Sequence, residues 1–78
     1  MINDTKEFST SDIILAATLK IHGYEMVSIE KFGTKGTFIF KTVDNDFLSN
    51  YDLGKILVEP LAFNNAIKSL TTAVRRMA

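Results

Sequence analysis

The chain has 78 residues, nine of them Lys or Arg, nine Asp or Glu, and none cysteine. A single domain this short buries only about 60 to 65% of the surface its unfolded chain exposes, so packing, alone or with self-association, must hold it. Disulfides, thiolate metal sites and a thiol nucleophile are excluded, and a formal charge of zero argues against the strongly basic face of a dedicated nucleic-acid binder.

Residues 1–7 carry neither the basic start nor the apolar middle of a signal peptide and are expected to fray. No apolar run approaches the roughly 20 residues that cross a bilayer, so a soluble, cytoplasmic protein with no membrane partner is expected. From Phe8 to Gly23 the pattern reads as a helix. Ser9 stands as its N-cap, Asp12 takes the capping-box place, and Phe8 with Ile13 forms a hydrophobic staple. Ile13, Ile14, Leu15, Ala17, Leu19 and Ile21 give it a broad apolar face. Gly23 stops it, with Tyr24 placed against Leu19 in a Schellman-type end.

A strand follows over residues 24–32, in which Val27 and Ile29 alternate with Ser28 and Glu30. Residues 37–43, TFIFKTV, are β-branched or aromatic almost throughout and read as its partner. Gly33 to Gly36 is short enough to be the hairpin loop between them. Asp44 is placed to cap a short helix over 45–53, with Phe47, Leu48 and Tyr51 on one side and Gly54 after it. Residues 55–58, KILV, read as a third short strand or an extended connector. Pro60 suits the first turn of a last helix, whose Phe63, Ile67, Leu70, Val74 and Met77 keep a three-four spacing. The expected fold is a small two-layer α+β domain ordered helix, β-hairpin, short helix, optional strand, long C-terminal helix.

Four patterns carry a hint of chemistry. Gly33-Thr34-Lys35-Gly36 has the letters of a KH-domain G-x-x-G clamp, but that loop joins helices and this one joins strands. Lys35 and Gly36 ahead of Phe38 and Phe40 approach an RNA-recognition strand. Its phase is wrong, because Thr37 and Ile39 fall where the stacking aromatics belong, and Phe38 and Phe40 share the opposite face. Both rings are therefore expected in the core. His22, the one histidine, has no ligand or triad partner at readable spacing and suits the negative end of a helix. Asp44 and Asp46 start like a calcium loop, yet Leu48 falls at position five and Lys55 at position twelve. No cofactor or metal is expected.

Charge is uneven along the chain: residues 61–78 hold Lys68, Arg75 and Arg76 and no acid. Lys31, Lys35 and Lys41 lie on or beside the hairpin, and with Arg75 and Arg76 they are the candidates for contact with nucleic acid. The last helix also has a wide apolar arc, which makes Leu61, Ala66, Ala73 and Met77 candidates for self-association.

Phe8, Thr10, Ser11, Asp12, Leu15, Ala16, Ala17, Leu19 and Gly23, then Ile29-Glu30, Phe38, Phe40, Val58, Pro60 and Phe63, carry a resemblance. In them the chain resembles a small domain family of phages and bacteria with the opening F-x-T-S-D-x-x-L-A-A-x-L and a later V-x-P-x-x-F. Thr18 departs from it, standing where an aromatic is expected. The resemblance implies a compact domain of mobile-element origin and supplies no active site. Function is accordingly expected to be non-enzymatic: a small protein-binding module, a phage accessory or host-modulating factor that binds a partner protein or itself. The alternative is weak nucleic-acid binding through the hairpin lysines and C-terminal arginines.

Overall fold

The computed structural model describes residues 7–77. The frayed start expected over 1–7 lies outside the described residues except for Glu7, which is exposed. Three strands and three helices follow: β1 (Phe8–Thr10), α1 (Ile13–Ile21), β2 (Met26–Phe32), β3 (Lys35–Phe40), α2 (Asn45–Asp52) and α3 (Pro60–Arg76). The strands form an antiparallel sheet in the order β1-β3-β2, so the α+β expectation holds with one strand added at the front.

That strand corrects the reading of the N-terminus. Phe8, Ser9 and Thr10 do not begin a helix. They pair with Phe40, Ile39 and Phe38. The N-cap of α1 is Asp12 rather than Ser9: its Oδ1 accepts from the backbone N–H of Ile14 at 2.9 Å and of Leu15 at 3.4 Å. Thr10 supports this cap, since its hydroxyl accepts from the Asp12 N–H at 3.0 Å. An aspartate that satisfies two orphan amides contributes about 1 kcal/mol. Asp12→Ala should therefore lower the urea midpoint by that equivalent, while Ser9→Ala, exposed on a strand, should stay within about 0.5 kcal/mol of wild type.

The far end of α1 is as expected. Gly23 adopts φ +89°, Tyr24 N–H donates to the Leu19 carbonyl at 3.0 Å, and Gly23 N–H donates to that of Lys20 at 3.2 Å. Between its ends α1 is enclosed, with Leu15, Ala16, Ala17, Thr18 and Leu19 buried in succession. Thr18 is tolerated there because its hydroxyl donates to the Ile14 carbonyl at 2.8 Å, leaving no polar atom unpaired.

The hairpin loop is shorter than the glycine spacing implies. Gly33 and Thr34 alone connect Phe32 to Lys35. Gly33 has φ +65° and, among the described residues, no non-glycine residue has positive φ, the signature of a type II′ turn, whose twist suits a hairpin. Gly36 belongs to β3, and its missing side chain has another use. A Cβ there would come within 2.7 Å of Val74 Cγ2 on α3, so the glycine lets helix and strand meet.

A bulge between Met26 and Ser28 breaks the alternation read for β2. Val27 is the extra residue and is exposed, whereas Met26 and Ile29 sit opposite Phe40 and Phe38 and face the core. Phe38 and Phe40 are 2% and 0% exposed and lie against a core that includes Leu15, Leu19, Ala66 and Leu70. The two rings point inward, as their phase requires, and neither is open for stacking on a base.

Two smaller expectations change. The Asp44 side chain makes no capping bond to α2, its Oδ2 instead accepting from the Tyr24 hydroxyl at 3.3 Å. Residues 55–58 form a connector and no strand. Helix α3 starts at Pro60 with Glu59 as N-cap, whose carboxylate accepts from Leu61 and Ala62 N–H at 3.1 and 2.7 Å.

Candidate functional site

The five cations put forward from the sequence do not converge. Lys31 lies opposite Gly36 on the core-facing side of β2, and its ammonium donates to the Met77 carbonyl at 2.8 Å. There it satisfies a carbonyl at the negative end of α3, a structural use of the charge. Lys41 pairs with Glu25 at 3.5 Å, both side chains exposed, about 20 Å along the strand from Lys35. Arg76 borders a shallow trough lined by α3 residues alone, Lys68 among them.

Lys35 and Arg75 do share a surface feature. They border one open groove of about 260 Å³ between the hairpin end of β3, the segment leading into α1, and the last turns of α3. Ile13, Phe38 and Val74 supply its apolar floor, and Ser11, Thr34 and Thr71 supply hydroxyl-bearing walls. Both charged residues that line it are cations. Each wall has a local cause. The Asp12 cap starts α1 at Ile13, the glycine at 36 lets Val74 approach, and the II′ turn sets Lys35 at the base of the hairpin tip. The Ser11 and Thr37 hydroxyls lie 3.3 Å apart, which ties the segment leading into α1 to β3.

The groove also borders a strand edge. β1 spans only Phe38 to Phe40 of β3. In a two-residue hairpin the turn hydrogen bond directs the Lys35 N–H toward β2. Strand alternation then sends the peptide groups of Gly36, Phe38 and Phe40 toward the β1 side. Thr10 and Phe8 stand opposite Phe38 and Phe40, but no strand residue stands opposite Gly36 on that side. Its N–H and C=O lie beside the groove as an unused pairing unit. Sequence reasoning placed Lys35 and Arg75 on its candidate list but missed this edge, because a three-residue strand leaves almost no signal.

Of the positions put forward for self-association, Ala66, Ala73 and Met77 lie along one flank of α3 and Leu61 on another. Ala66 is a core residue, which corrects its place in that set. Ala73 and Met77 are half-buried. Leu61 is exposed. The large apolar residues left most open are Phe32 at the hairpin, Leu53 after α2, Leu57 in the connector and Leu61.

His22 holds the connector. It is the C-cap of α1, its Nε2–H donates to the Leu57 carbonyl at 3.0 Å, and its ring meets Phe47 edge-on at 5.2 Å. Tyr24 also meets Phe47 edge-on at 5.1 Å, so α2, which buries no residue fully, is fastened by aromatic edges. Tyr51 adds a hydroxyl bond to Asp12 Oδ2 at 3.4 Å.

Burial raises the phenol pKa of both tyrosines above the ordinary value of 10.0, aided by the carboxylate of Asp44 at Tyr24 and of Asp12 at Tyr51. A folded-state pKa above the unfolded one contributes stability that is present in full below pH 10.0 and is lost as pH climbs through the folded values. These are the two tyrosines of the chain. Tyrosinate absorbance should therefore rise later in the native protein than in urea, and Tyr24→Phe should remove one of the two delayed steps.

Among the described residues no cluster of three or more His, Cys, Asp or Glu side chains could hold a metal ion, and no helix is long and apolar enough to cross a membrane. No protein-family model, curated protein or solved structure matches this chain.

Proposed function

We propose that the protein is a non-enzymatic protein-binding module. The observation that carries this reading is the groove: an apolar floor of Ile13, Phe38 and Val74 beside an unpaired strand unit at Gly36. Extended segments of other proteins are recognised by such edges, with main-chain bonds supplying affinity and side-chain pockets supplying choice. Capture from lysate on the immobilised protein tests the reading. A retained protein that resists nuclease and high salt supports it, and loss of all retained protein on nuclease treatment removes it.

The groove that Lys35 and Arg75 both border keeps weak nucleic-acid binding as the second reading. Two phosphate contacts on a single strand give a slope of log affinity against log salt of about −1.4, and five would give about −3.5. With Lys31 and Lys41 engaged elsewhere and Arg76 on another face, the shallow slope is the expected result. A steep slope with submicromolar affinity would put nucleic acid first.

A further inference from the structure

The groove has more character than a generic apolar dent, and its features point to one kind of occupant. Its outer end is bordered by Lys35 and Arg75 with no lining acid to neutralise them. One side includes β3, where Gly36 offers one N–H and one C=O with no strand opposite. Its floor is apolar, with Ser11, Thr34 and Thr71 offering hydroxyls around it. A nucleotide would use the cations but not the strand edge, and would find no exposed ring there, since Phe38 is buried. A polypeptide uses every wall at once. Its backbone pairs with Gly36, one side chain lies on the floor, and the alternating geometry of a strand carries other side chains toward the groove mouth.

We propose that this groove binds an extended acidic segment of a partner protein, added as a short strand opposite Gly36 with an Asp or Glu side chain held between Lys35 and Arg75. The proposal rests on the protein-binding reading and supplies its partner class. The positive mouth meets an acid, which favours the right partner and rejects basic segments through like charge. A bidentate guanidinium–carboxylate pair at Arg75 fixes where the acid sits along the edge. Gly36 is a single free pairing unit, so the main-chain bonds are few and the side chains on the floor and at the cations add to them.

Selection from a displayed library of random dodecapeptides on the full chain tests it. Enriched sequences are resynthesised with both ends capped, so that any carboxylate is a side chain. The expected enrichment is Asp or Glu flanked by apolar residues at alternate positions. Binding should fall about tenfold or more in the double variant Lys35→Glu, Arg75→Glu. Both side chains are exposed, so that variant should keep its fold, checked by unchanged amide resonances away from the groove. On binding, the Gly36 amide of the wild-type chain should shift and exchange more slowly. Enriched peptides that bind the double variant as well as wild type would overturn the groove while leaving protein binding intact. Enrichment without acids would overturn it as well. No enrichment, together with a single-stranded oligonucleotide that shifts the same amides, would overturn both readings.

Discussion

Phe40→Ala is expected to lower the unfolding free energy by about 3 to 5 kcal/mol. The ring is 0% exposed, and its strand position sits opposite Phe8 on one side and Met26 on the other. Its removal opens a cavity under all three strands at once, and each neighbour is held by its own backbone pairing and cannot collapse inward. At about 0.05 to 0.15 kcal/mol per residue, a chain of this length has roughly 4 to 12 kcal/mol in total. The loss therefore threatens the native state itself. Urea unfolding should show a lower midpoint with an unchanged slope. An unchanged midpoint would mean that the ring is not in the core.

Gly36→Ala should cost about 1 to 3 kcal/mol, as overpacking does. Replacing glycine stiffens the unfolded chain, which by itself would stabilise by about 0.4 to 1 kcal/mol. The clash is the larger effect, because the new Cβ would lie 2.7 Å from Val74 Cγ2 and 3.2 Å from Cγ1. Valine in a helix is held to one side-chain rotamer, so the methyls cannot swing aside and α3 must move. Val74→Ala in the same chain should relieve the clash. The double variant is then less destabilised than the two single costs added together, by at least about 0.5 kcal/mol. Strict additivity in denaturation would show that helix and strand do not touch there.

What could be read from the letters was what local chemistry determines. The Gly23 stop, the Pro60 start, the face of α3 and the inward phase of Phe38 and Phe40 each depend on residues a few positions apart. What could not be read depends on distant partners. Phe-Ser-Thr at residues 8–10 has too short a pattern to be a strand until Phe40 is beside it, and the run Ser9 to Asp12 offers four capping residues to choose among. The bulge at Val27 inverts the face assigned to it, which alternation alone cannot reveal. Gly36 looked like part of a loop because its reason for being glycine lies on Val74. The groove suffered the same blindness: Lys35 and Arg75 are forty residues apart in the chain and border one groove where that glycine admits the helix.

The placement of β3 between its two neighbours also implies an order of assembly. The β2–β3 ribbon closes over a two-residue turn and can zip within about 1 to 10 μs. The third strand comes from the other end of the chain, with α1 and β2 between it and its mate. Its closure entropy must be met before any of its contacts form. It should thus be last on and first off, its amides exchanging with solvent through openings that leave the ribbon shut. Each such opening would bare the same margin of β3 over twice its resting length, a transient template on which a passing chain could lie.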